Sequence, residues 1–199
     1  MTLSATSRAI ARVFIVRHGN TFAPGEAPRR IGGRTDLALV DAGRDQARAL
    51  GRYFADCGLV FDSARCGPLL RTRETARLLL SAAGHDGPAT IVEWLREIDH
   101  GPDEDRPEAE VLARIGQPAL DAWDRDGIPP EDWQVDAAAR RAAWRDLFAS
   151  ATGTMLIVTS NGAARFAFPG AAKLRTGAYG EVVTDAQGRP MAKAWDVRP

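Results

Sequence analysis

Apolar residues gather in two short runs, Val13 to Val16 and Met155 to Val158, and each run ends abruptly in polar residues and a glycine. Runs of that length predict buried strands. Behind the first comes a Gly- and Pro-containing loop from Gly19 to Arg34, then a helix that Asp41 is placed to cap, with Ala42, Gln46, Ala49, Leu50, Tyr53 and Phe54 along one face. The segment GLVFDSARC predicts a second strand. GPLLRTRETARLLLSAAG predicts a second helix, with Gly67 before it, Pro68 near its first position and Gly84 past its end. Strand, helix, strand, helix in that order predicts an α/β three-layer sandwich, with a mostly parallel central sheet and helices on both faces.

Between about 102 and 150 the rhythm changes. RPEAEVLARIGQPALDAWDRDG and DAAARRAAWRDLFAS are helical patterns separated by the turn-rich GIPPEDW, which predicts a helical insertion within a single domain spanning 1–199. Trp123, Trp133 and Trp144 read as its core, since indoles are large enough to anchor a small helical layer. The C-terminal stretch YGEVVTDAQGRPMAKAWDVRP alternates and turns at DAQG, predicting a closing hairpin or edge strands.

Composition narrows the function classes. The 199 residues are 45% hydrophobic, enough for a proper core, and Lys+Arg and Asp+Glu balance at 26 each. No overall field draws such a chain to nucleic acid or to an anionic membrane, so any affinity for phosphate must be local. The two cysteines, Cys57 and Cys66, form no metal-ligand spacing and no disulfide framework, which predicts a reducing, cytoplasmic setting; no metal or other cofactor is expected. The opening MTLSATSRAIAR lacks a secretory apolar core and reads as a loose tail, and no later run is long enough to span a bilayer. Oligomeric state leaves no mark on the sequence.

The first apolar run leads straight into Arg17, His18 and Gly19. Ligands of parallel sheets gather beyond the carboxyl ends of the strands, and Arg71 falls in the first turn of the helix that follows the second strand. A cation there opposes the helix dipole, and an anion removes the conflict. Two arginines and a histidine at one strand-end crevice therefore read as a phosphate site, with guanidinium forks matching phosphate oxygens. A neutral imidazole held there can attack phosphorus and form a phosphohistidine. Glycine at position 19 permits close backbone approach.

These residues belong to a wider set: FIVRHGNT, GRTDLALVDAGRDQARALG, GPLLRTRETARLL and LREIDHG. In that order the chain resembles the histidine phosphatase superfamily, which includes the cofactor-dependent phosphoglycerate mutases. The resemblance implies that His18 is the nucleophile, that Arg17 and Arg71 hold the phosphate, and that Glu97 donates a proton to the leaving oxygen. Asn20 and Thr21 then line the pocket. Members of the family usually carry a second histidine at the end of a later strand, in a segment like V-T-H-G; this chain reads IVTSNGAARF, which puts Ser160 in that place, with Asn161 and Gly162 beside it as substrate contacts. A serine can donate a hydrogen bond to a phosphoryl oxygen but carries no charge.

The expected function is a metal-independent phosphomonoester hydrolase acting through phosphohistidine on a small phosphorylated metabolite. The alternative is a catalytically impaired phosphate-ester binding or regulatory module, and a mutase-type phosphotransferase comes third. His85 reads as an ordinary turn histidine; His100, three residues after Glu97, reads first as an ordinary loop histidine and alternatively as a substitute cation for the missing second histidine, and Arg29, Arg30 and Arg34 as either a second anionic subsite or solubilising loop residues.

Overall fold

The computed structural model describes residues 10–185 and 187–199; the expected loose tail lies, but for its last three residues, outside them, as does Ala186 of the DAQG turn. The two apolar runs form adjacent central strands, β1 (Arg12–Arg17) and β4 (Thr154–Thr159), parallel and in register from Arg12↔Thr154 to Arg17↔Thr159. The remaining strands are β2 (Ser63–Cys66), β3 (Thr90–Ile91), β5 (Tyr179–Thr184) and β6 (Pro190–Val197). The sheet order is β3-β2-β4-β1-β5-β6. β1 to β4 run parallel and only β5 opposes its neighbours, giving the mostly parallel sheet that the alternation of elements predicts.

Because successive side chains of a strand face opposite ways, the two apolar runs supply both faces at once. Phe14, Val16, Leu156 and Val158 meet α1 (Asp41–Asp56) and α2 (Leu70–Ala82) through Leu50, Phe54, Ala76 and Leu79. The Phe14 and Phe54 rings cross edge to face at 5.3 Å. Val13, Ile15, Met155 and Ile157 meet α3 (Glu108–Asp126) and α4 (Ala137–Ser150) through Trp123, Trp144, Leu147 and Phe148. All three tryptophans between residues 102 and 150 are buried in this second layer. Among the described residues no helix is long and apolar enough to cross a membrane.

Local details depart from expectation. Asp41 does not cap α1: it is the first helical residue, pairs with Arg44 at 2.8 Å, and the cap position falls to Val40 without a side-chain bond. The buried stripe of α1 is Gly43, Ala47, Leu50, Gly51 and Phe54, one position off the predicted face, so Ala42 and Ala49 are exposed. Glycine carries little weight in a hydrophobic pattern, yet two glycines let this helix approach its neighbours. The second strand begins only at Ser63, and Val60 before it is exposed. β3 has two exposed residues and offers no apolar alternation to read. α3 is kinked where Gly116 adopts φ 77°, ψ 158°, two residues ahead of Pro118, which cannot donate to a helical ladder.

Candidate active site

The carboxyl ends of β1 and β4, with the first turn of the helix that follows β2, open onto a cavity of about 310 Å³. Its inner wall is Arg17, His18, Arg71, Glu97, Asn161 and Gly162. Each arrives by a local rule. β1 delivers Arg17, and the chain stays tied to β4 for one residue more, since the His18 N–H donates to the Thr159 carbonyl at 3.0 Å. Arg71 sits in the first turn of α2 and is only 1% exposed. The next turn of that helix supplies Thr75, whose Oγ1 accepts the Gly19 N–H at 3.1 Å, so the helix and the loop that follows His18 are joined directly.

The His18 ring is oriented by its neighbour. Nδ1 lies 2.8 Å from the Gly19 carbonyl, which can only accept, so Nδ1 carries the proton and the lone pair belongs to Nε2. Burial, then the cations of Arg71 and Arg17, push the imidazole well below its ordinary value, against the opposing pull of the Gly19 bond. The ring is therefore a neutral base at physiological pH.

Both guanidinium groups are anchored from behind. Arg17 Nη1 donates to the Leu174 carbonyl at 2.7 Å, and Arg71 donates to the carbonyls of Thr35 at 2.8 Å and Gly32 at 3.0 Å. Burial lowers the pKa of each, with Glu97 opposing, though a guanidinium remains charged across the working range. Glu97 Oε1 accepts the Ile98 N–H at 2.8 Å, and a Cβ at position 162 would overlap that same oxygen. Five buried polar atoms in and around the cavity lack hydrogen-bond partners: Arg17 Nε, Asn161 Nδ2 and Ser160 Oγ toward its inner end, and Arg30 Nε and His100 Nδ1 farther out. Ser160 is fully buried and does not line the cavity, although the register of β1 with β4 sets it level with His18. The unpartnered Arg17 and Asn161 donors on the cavity wall, beside two cations and a neutral imidazole, suit a tetrahedral oxyanion.

The outer cavity contains residues the sequence reading placed elsewhere or passed over. Asn20 and Thr21 line it as expected, and Asn20 accepts from Thr176 Oγ1. His100 is not an ordinary loop histidine: it is buried in the cavity wall, edge-on to Trp133 at 4.5 Å. Trp123 belongs both to the core and to the cavity, with the Arg165 guanidinium 3.9 Å over its ring. Arg29 and Arg30 reach the cavity but pair with Asp105 and Glu108, each at 2.5 Å, whereas Arg34 turns away to Asp99. Arg165, within IVTSNGAARF but given no role there, also lines it, as does Lys173, which lies outside every motif. His85 accepts the Phe61 N–H on the far side of the sheet.

Residues 13–185 match the pattern of the histidine phosphatase superfamily, branch 1. A 2,3-bisphosphoglycerate-dependent phosphoglycerate mutase of Gloeobacter violaceus is 33% identical over 138 residues, 67% of this chain and 60% of the relative. A broad-specificity phosphatase of Saccharomyces cerevisiae is 33% identical over 89 residues, 44% of this chain and 38% of the relative. The match thus spans 60% of the first relative and 38% of the second, less than two thirds of either. In solved structures, the fold resembles a mycobacterial glucosyl-3-phosphoglycerate phosphatase, with a TM-score of 0.77 at 20% identity over 94% of this chain and 99% of that one.

Proposed function

The chain belongs to the histidine phosphatase superfamily, and from that premise we propose that it is a metal-independent phosphomonoester hydrolase working through a phosphohistidine on a small phosphorylated metabolite. The observation that carries this reading is the His18 ring, neutral, with its Nε2 lone pair free, beside two buried guanidinium groups. In the first step Nε2 attacks phosphorus, the bond from phosphorus to the leaving oxygen breaks, and Glu97 gives its proton to that oxygen. The Arg17 and Arg71 forks balance the phosphoryl charge. In the second step water attacks the phosphohistidine, the Glu97 carboxylate takes the water's proton, and the P–N bond breaks to restore the imidazole. No atom or electron pair is left over.

Ser160 is proposed to stand where the family's second histidine belongs. Its unpartnered Oγ can donate to a phosphoryl oxygen but cannot counter charge. Losing one preorganised donor typically costs on the order of 100- to 1,000-fold in turnover, part of which a replacement donor recovers. That uncharged position also favours the second reading, a phosphate-ester binding module with lost or impaired turnover. A mutase-type phosphotransferase ranks third: it would return the phosphoryl group to an organic acceptor rather than to water.

Rapid acid-free quenching with a labelled phosphomonoester, EDTA present, is expected to trap base-stable, acid-labile label on the protein, and His18→Ala is expected to lose it while remaining folded. Label persisting in that variant would refute the assignment. Binding without phosphate release selects the second reading, and transfer to an added alcohol selects the third.

A further inference from the structure

Glu104 lies outside the cavity and takes no part in the chemistry above, yet its carboxylate is a hub. Oε1 accepts the N–H groups of Gly32 and Arg34, both at 3.0 Å, and the Thr35 hydroxyl at 2.9 Å. Oε2 accepts the His100 N–H at 3.2 Å and faces His100 Nδ1 at 3.7 Å. The carboxylate is 7% exposed. Position 32 must be glycine for this approach, because a Cβ there would run into Oε2.

The residues so held are the ones that hold Arg71. Gly32 and Thr35 give their N–H and O–H to Glu104 and their carbonyls to the two Arg71 Nη atoms. We infer that Glu104 is a positioning residue: by pinning 32–35 it fixes the two carbonyls that aim the Arg71 guanidinium at the phosphoryl group. The inference rests on the reading above, in which Arg71 grips that group. Burial alone would raise the Glu104 pKa; contacts with the His100 ring, Thr35 and the backbone of His100 and Arg34 outweigh it and hold the pKa at about 2, so the hub is charged whenever the protein is at work. The loop has independent anchors at Gly33, whose N–H meets the Ile98 carbonyl at 2.7 Å and whose carbonyl accepts from Arg96. Loss of the hub therefore loosens Gly32 and Thr35 without freeing the loop.

A double-mutant cycle read by calorimetric binding of inorganic phosphate tests this. Glu104→Gln keeps the shape but sets an NH2 against the His100 N–H. It is expected to weaken phosphate about tenfold, the scale of one hydrogen bond to a charged group, with thermal unfolding still cooperative. Arg71→Gln is expected to weaken it further, and the double variant to bind no worse than Arg71→Gln alone. Independent, multiplying losses overturn the inference, as does unchanged affinity in Glu104→Gln. Unchanged affinity in Arg71→Gln overturns the reading of the site, and the role of Glu104 with it. Thr35→Val removes one bond to the hub and keeps the carbonyl; where Glu104→Gln does not fold, it carries the same cycle, with a smaller loss expected in the same direction.

Discussion

Glycine at position 162 matters for what it leaves room for. A Cβ there meets Glu97 Oε1, the far end of a flexible side chain, so Gly162→Ala is expected to fold and to displace the carboxyl rather than the backbone. Turnover should fall about 100-fold or more, the scale of a general acid, while phosphate affinity changes little. Steady-state kinetics beside phosphate titration checks this, and equal losses in both would remove Glu97 from its role. His18 makes a second prediction. Its folded pKa lies below the unfolded 6.5, so the unfolded chain takes up the proton first, and stability is complete above about 6.5 and declines as pH falls below it. Melting temperatures from pH 7.5 to 5.5 should drop more steeply for wild type than for His18→Asn; parallel curves would contradict a buried neutral ring. The inner wall was legible because its chemistry is written in contiguous motifs around residues 17, 71 and 97. His100 and Arg165 sit inside the segments LREIDHG and IVTSNGAARF, yet nothing in the local pattern says which way their side chains turn, and Lys173 reaches the cavity from a loop outside every motif.

At the level of elements, periodicity located the central strands and four main helices, since each has a run of apolar residues at its own repeat. It placed Leu50 and Phe54 on the buried face of α1 but missed Gly43, Ala47 and Gly51, small residues that complete the contact. Gly43 is the telling case. Alanine inside a helix ordinarily stabilises by about 0.5 to 1 kcal/mol relative to glycine. Here its Cβ would overlap the Asn20 backbone carbonyl, so Gly43→Ala is expected to destabilise by about 1 to 3 kcal/mol, read by urea unfolding. A stabilised variant would show that the helix and the loop after His18 are not in contact. The start of α4 is simpler: Asp136 accepts the Ala139 N–H at 2.9 Å, and Asp136→Ala should cost about 1 kcal/mol in the same assay, a neutral result excluding the cap.

Across the whole molecule, charge balance concealed buried ionic structure. Asp103 is held by Arg114 and by the Trp133 indole N–H at 2.7 Å; burial would raise its pKa, and these partners bring it below the ordinary carboxylate value instead. With Glu104 beside it at about 2, the folded state resists protons that the unfolded chain accepts. That stability is present above about pH 4.5 and is lost as pH falls toward 2, so melting temperatures should decline across this window, and a flat profile would contradict the burial of either carboxylate. The sheet also sorts the chromophores. Trp94, Trp123, Trp133, Trp144 and Trp195 all pack on one side of it, while Tyr53 and Tyr179, the only tyrosines, pack on the other. Indole and phenol fluorescence therefore form two optical channels, one for each layer, in a protein that needs no label to distinguish them.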